Sequence, residues 1–276
     1  MWTTLTKGET CLDRVDDVDD SIMISEDRRH TVDRHLRTAL TPALPDCAFP
    51  GLDVRAVGRL SHSRATIGSD FCDAFRLPGG ATALILGEVV GNSAAAPLQI
   101  PQVKFGLRGL LVENPSPSRA LTAINRWMCL ERALARAIRS FGRAAIAVFD
   151  DQSDWAEIAS AGSETPLILS GFGTVSPIDA AGLPIGIDAD FIYESSTFRL
   201  DLGDTLVMST NGISNARHGR DVLGYRGMTA LVEAASTLAD ADYGVARYVM
   251  EGALAFAAGA LQDNATVLTA QRVGTR

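Results

Sequence analysis

The chain has 276 residues, of which 46% are hydrophobic and 21% charged, and its formal net charge is −8. That is enough apolar material for one large mixed domain plus a short extension. The acidic balance, with arginines dispersed rather than clustered, argues against a nucleic-acid surface.

The four cysteines, Cys11, Cys47, Cys72 and Cys129, lie far apart with no CxxC spacing. Free thiols are expected, not a zinc site or a disulfide framework. Residues 1–25 lack a basic segment followed by an apolar one, and no apolar run approaches the ~20 residues of a membrane span. A cytoplasmic protein is expected, with no membrane and no nucleic-acid partner.

In chain order, residues 1–24 read as an acidic flexible arm, since CLDRVDDVDDSIMISEDR has no clear period. Residues 25–45 read as a linker helix over 25–40, capped by Ser25 and stopped by Pro42 and Pro45. Its narrow stripe of Val32, Leu36 and Leu40 must pack on the following domain or on a partner chain, so a homodimer is one expectation. The remaining residues, 46–276, read as one domain. Strands are expected at 52–60, 71–77 and 81–90, the last two as a hairpin around Pro-Gly-Gly. A helical pattern follows from Ser93 to Val112. A strong amphipathic helix is expected over 117–142, with Leu121, Ile124, Met128, Ala135 and Ile138 near one face and Gly142 as its stop. A second strand block comes next: RAAIAVFD, WAEIASAG, PLILSG, IYESSTFRL and DTLVMST. Helices near 226–237 and 240–259 precede a last strand, NATVLTAQRV. Strands, two helices, strands, two helices and a strand suit antiparallel sheets with helices packed outside.

Four stretches place polar residues at the ends of apolar strands. Asp70 and Asp73 stand in IGSDFCDAF, Glu88 in LILGEVVGNSAAA, Asn211 at an expected tight turn in MSTNGIS, and Asp263 with Asn264 in LQDNATVL. An acid beside a glycine at a strand end is one way to aim oxygens at a hard cation. Each stretch alone also reads as an ordinary turn.

Taken in order, GSDFCD (68–73), GEVVGNS (87–93), AGSETP (161–166), TNG (210–212) and DNAT (263–266) resemble the PPM-type, or type 2C, metal-dependent protein phosphatases. They look most like the bacterial branch of the sporulation stage II protein E and the stress-response sigma regulators. PALPDCAFPGLDV, GLPIGI and LDLGDTLVMST also match, so the resemblance covers roughly residues 40–272. It implies an α+β fold, a four-layer α/β/β/α sandwich of two antiparallel sheets flanked by helices. It further implies two Mn or Mg ions at one end, held by Asp70, Glu88, the Val89 carbonyl, Asn211 and Asp263. Metal-bound water would attack a phosphoserine or phosphothreonine. The implied partner is a phosphorylated regulator such as an anti-sigma-factor antagonist.

The sequence departs from the pattern at the ligands. Glu88 stands where the family has its bridging Asp, and Asn211 where it has the Asp of TDG. Ser163 replaces a His, and Asn92 with Ser93 replaces His-Gly. Asn264 is a mild change. A neutral amide removes a Coulomb term, and a longer bridging acid shifts the metals. Two readings stand: a weak phosphatase with a degenerate centre, and an inactive pseudophosphatase that binds and sequesters the regulator. Among other residues, Arg64 could meet a phosphate or be a surface arginine, and Asp73 could sit behind the metals or in a turn. Trp127 and Trp155 are expected in the core. The four histidines read as surface or hydrogen-bonded residues.

Overall fold

The structure is a computed structural model that describes residues 44, 49–61, 69–91, 96–134, 140–237 and 244–274. The acidic arm, the helix expected at 25–40 with its dimer contact, Cys11, Cys47, Arg64, Asn92 and Ser93 lie outside the described residues.

Alternation with period two builds the first sheet. Strands β2 (Asp70–Arg76), β3 (Thr82–Gly91), β4 (Ser140–Phe149), β5 (Trp155–Ala161) and β8 (Ser196–Arg199) pair in that order, antiparallel throughout. Each strand then has two faces. One face carries Phe71, Phe75, Ile85, Val89, Ile146 and Val148 and meets the helices α1 (Ala96–Glu113) and α2 (Pro117–Leu134). The other face carries Cys72, Ala74, Leu84, Leu86, Ala145 and Ala147.

The second sheet has the order β1 (Leu52–Arg59), β12 (Ala265–Arg272), β9 (Thr205–Ser209), β6 (Leu167–Leu169) and β7 (Val175–Pro177). Its inner residues, including Leu52, Leu206, Met208, Leu268 and Ala270, close the core against the first sheet. Its outer residues, Leu167, Leu169, Val207 and Val267, pack under α4 (Gly224–Ala234) and α5 (Val245–Phe256). A one-turn helix α3 (Asn211–Ser214) follows β9, and β10 (Arg217–His218) pairs with β11 (Asp221–Val222). The layers are therefore helices, sheet, sheet, helices, which is the expected α/β/β/α sandwich.

Several local expectations need correction. The long helix stops at Leu134 among the described residues, and Ser140–Gly142 are strand. Gly142 is not a helix stop: its backbone exchanges hydrogen bonds with Ile185, and a Cβ there would lie 3.5 Å from Met128 of α2. The ladder of β3 and β4 overrides the helical period. The second helix of the later pair begins at Val245, and Ala235–Thr237 form a 3-10 turn rather than the end of α4. Asn211 opens a helix instead of a tight turn. Trp155 is 55% exposed at the start of β5, whereas Trp127 does pack against the outer core. His218 Nδ1 donates a hydrogen bond to the Phe256 carbonyl at 3.1 Å. Cys72 and Cys129 are free thiols. Among the described residues no helix is long and apolar enough to cross a membrane.

Candidate functional site

The register of the first sheet sets the site. Asp70 on β2 is the cross-strand partner of Glu88 on β3, and Glu88 is the partner of Arg143 on β4. Directly opposed residues of an antiparallel pair share a face. This row has the parity of Cys72, Leu86 and Ala145, so it points between the sheets. On the facing sheet, Thr210 and Thr266 continue the parity of Met208 and Leu268. The apolar interior thus ends in a polar crevice at one end of the sandwich.

Two glycines let the backbones meet there. A Cβ at Gly87 would stand 2.6 Å from the Arg143 carbonyl oxygen and 2.5 Å from the Phe71 ring. A Cβ at Gly212 would stand 1.9 Å from the Asn264 carbonyl oxygen. The glycines of GEVVG and TNG are therefore required by close packing.

Asp70 is 2% exposed. Its Oδ2 accepts hydrogen bonds from Thr210 Oγ1 at 2.8 Å and Thr266 Oγ1 at 2.9 Å, and its Oδ1 accepts one from Ser69 Oγ at 3.2 Å. Burial pushes its carboxyl up to about 7, and nearby Glu88 adds to the rise. The three hydroxyls only partly offset this, because they favour the charged form less than burial disfavours it.

Glu88 is also buried, and its Oε1 accepts a hydrogen bond from Arg143 Nη1 at 2.7 Å. Burial raises its carboxyl above the ordinary glutamate range. The Arg143 hydrogen bond and charge pull it back, while Asp263 and Glu164 push it up. Val89 turns its side chain to the outer core, so any role in the crevice belongs to its backbone.

Asn211 contributes an amide whose Oδ1 is buried and has no hydrogen-bond partner among the described residues. Asp263 is half-buried and its Oδ1 accepts the Asn264 backbone N–H at 2.8 Å. Asn264 has a structural role. Its Oδ1 accepts the Ser61 N–H at 3.0 Å and its Nδ2 donates to Ser69 Oγ at 3.0 Å, stitching the start of β12 to the segments that end β1 and begin β2. The second of those bonds needs an amide, which an aspartate lacks. Ser163 hydrogen-bonds Ser160 through their hydroxyls at 2.9 Å.

Asp73 belongs elsewhere. It lies in the middle of β2 on the outer face, where Arg108 Nη1 of α1 donates to both its oxygens at 3.0 and 3.2 Å. It clamps a helix to the sheet. Sequence reasoning missed Arg143 and Glu164, both of which line the crevice. Glu164 accepts a hydrogen bond from Ser214 Oγ at 2.6 Å. The signal for Arg143 was present: one arginine heading a strand, RAAIAVF, that is otherwise apolar.

These residues do not fit a centre for two dications. Among the described residues, no three His, Cys, Asp or Glu side chains approach closely enough to hold a metal ion. Glu88 already holds a guanidinium. A dication ~4 Å from such a charge meets a repulsion of about 8 kcal/mol at an effective dielectric of ~20.

Residues 78–273, well over half of the chain, match the family described as Stage II sporulation protein E (SpoIIE). The fold is similar to the RsbU and RsbW domains of a Mycobacterium tuberculosis protein, with a TM-score of 0.69 at 20% identity over 85% of this chain and 64% of that one. It is similar to the PP2C phosphatase domain with a regulatory fragment of SpoIIE from Bacillus subtilis, with a TM-score of 0.65 at 23% identity over 80% of this chain and 63% of that one. It is also similar to the SiaA PP2C domain of Pseudomonas aeruginosa, with a TM-score of 0.65 at 15% identity over 79% and 84%. The chain thus spans less than two thirds of the first two solved chains. With the family matched from β3 through β12, this chain belongs to the SpoIIE family of PP2C-type phosphatase domains.

Proposed function

We propose that the domain recognises a phosphorylated regulatory protein and hydrolyses its phosphoester slowly or not at all. The observation that carries this reading is Asn211. It stands where the resemblance places a metal-binding aspartate, and it presents to the crevice a neutral amide oxygen with no hydrogen-bond partner among the described residues. An amide oxygen is a dipole where a hard dication needs a charge. Loss of charge at that position weakens metal binding while leaving the shape of the domain almost unchanged.

Asp70, Glu88, the Val89 carbonyl, Asn211 and Asp263 are the residues that correspond to the family's ligand set. In this chain three of them have other partners. Asp70 is held by three hydroxyls, Glu88 by Arg143, and Asp263 by a backbone N–H. Occupancy by Mn or Mg is accordingly expected to be low. The regulator is expected to be of the phosphoserine or phosphothreonine class, such as an anti-sigma-factor antagonist in partner switching. The likeness to a protein that carries RsbU and RsbW domains supports that class. Complete loss of hydrolysis, leaving a pseudophosphatase that binds and sequesters the regulator, is the second reading, and the Arg143–Glu88 pair favours it.

Initial rates on p-nitrophenyl phosphate and on a phosphoserine peptide, with and without millimolar Mn, test the proposal. Rates close to the metal-free blank are expected. Robust Mn-dependent turnover that Asp263→Ala abolishes overturns it.

A further inference from the structure

We propose that Arg143 is an internal counter-cation: its guanidinium neutralises Glu88 from within the chain, so that the inner acid row folds without metal and is closed to a dication. This rests on the reading above, that the centre does not take two metals. It goes beyond it by assigning a role to a residue outside all five motifs.

The geometry supplies the argument. A carboxylate as buried as Glu88 must find a hydrogen-bonding cation or lose its charge. The side chain of Glu88 is 4% exposed and that of Arg143 27%, so the arginine covers the acid from the solvent side. Their Nη1–Oε1 separation of 2.7 Å is that of a charge-assisted hydrogen bond. The two are direct cross-strand partners, so the backbone register fixes the pair without help from a loop. The Arg143 guanidinium also lies 5.3 Å from the Phe141 ring, two residues along on the same face of β4. Among the described residues, Arg143 is the single basic side chain lining the crevice, which it shares with Glu88, Glu164 and Asn211. Asp70 and Glu164 are held by hydroxyls instead. One guanidinium thus stands where a metal-dependent site would require its positive charge.

Melting temperatures of the full chain in chelator and in millimolar MnCl2 test this, using wild type, Arg143→Met, Arg143→Lys and the double variant Glu88→Gln with Arg143→Met. Wild type is expected to shift by less than ~1 °C on adding Mn. Arg143→Met is expected to melt ~5 °C or more below wild type in chelator and to recover at least half of that loss in Mn. Arg143→Lys should keep most of the wild-type value in chelator. The double variant should melt closer to wild type than Arg143→Met does in chelator, because it leaves no unpaired charge, and should not respond to Mn. If Arg143→Met fails to fold, the double variant decides, and its failure too overturns the proposal. An Arg143→Met protein that responds to Mn no more than wild type also overturns it. That result leaves the functional reading standing, whereas Mn-dependent turnover by wild type sinks the functional reading whatever the melting series shows.

Discussion

Two arginine–carboxylate pairs lie on opposite faces of the same sheet. Arg108 and Asp73 join α1 to the outer face of β2, and Arg143 and Glu88 join β4 to β3 on the inner face. In each pair the acid is 4% exposed and the arginine carries the remaining contact with water. Their surroundings differ. Asp73 also accepts the Ala74 backbone N–H, and Arg108 lies 4.4 Å over the Phe75 ring, so the outer pair is part of a helix-to-sheet packing contact. Glu88 has Asp70 beside it as its cross-strand partner and feels Asp263 and Glu164. The same chemistry serves as a clamp where one acid stands alone and as charge balance where several converge. The outer pair should therefore govern stability without regard to metal. The inner pair should govern both stability and the response to metal.

The largest expected effect comes from forcing the inner strands apart. Gly87→Ala brings a methyl group against the Arg143 carbonyl and the Phe71 ring, and is expected to cost about 3 kcal/mol or more in urea unfolding. A loss under about 1 kcal/mol would mean that β3 and β4 can separate without disturbing the row.

Next is Asp70→Asn, measured in chelator as a function of pH. The folded state holds Asp70 at about 7 against an ordinary value of 3.8. Between those values the folded chain binds more protons than the unfolded chain, so wild-type stability falls as pH rises through the window and levels off above it. The asparagine does not titrate. It should melt like wild type near pH 4 and should gain on the order of 2 kcal/mol over wild type above pH 7, less whatever the lost hydroxyl bonds contribute. An unchanged difference across that range would show that burial of Asp70 is not what strains the row.

Arg108→Met should destabilise by about 1–2 kcal/mol, because it leaves the buried Asp73 with only a backbone donor and the arginine was itself 42% exposed. The loss should be equal in chelator and in Mn, and a metal-dependent loss would erase the distinction between the two pairs. The smallest effect is beside that clamp, at Gly109→Ala. Beyond its chain neighbours and the helix's own backbone, no described atom lies within 4 Å of the added Cβ in the interior of α1, so the variant should gain about 0.5–1 kcal/mol from helix propensity alone. Alanine would then act in opposite directions beside the inner and outer pairs.

Much of this was legible in the sequence, and the unread parts have specific causes. Periodicity and turn chemistry give the element order and antiparallel sheets with helices outside, because β2, β3, β4 and β12 alternate between apolar faces, and the family resemblance adds the four layers. The resemblance carried by the motifs implies that Asp70, Glu88, Asn211 and Asp263 share one end of the sandwich. Three things were hidden. The register that seats Arg143 opposite Glu88 depends on pairing residues 55 positions apart, which no local pattern carries. The parity of β2 sends Asp70 inward and Asp73 outward, and a strand two residues shorter would read the same in the motif. The hydroxyls of Thr210 and Thr266 stood inside TNG and DNAT, yet their convergence on Asp70 requires the two sheets to face each other. The sequence pattern carries the expected helix past Leu134 because Ala135 and Ile138 keep the helical period, whereas the sheet ladder claims the chain from Ser140.

The most direct measurement of the central claim is a calorimetric titration of Mn into the wild-type domain at pH 7.5, after exhaustive chelation. The account predicts no binding in the micromolar range and at most one weak, sub-stoichiometric event in the millimolar range. Two Mn ions bound per chain at micromolar concentration would contradict it.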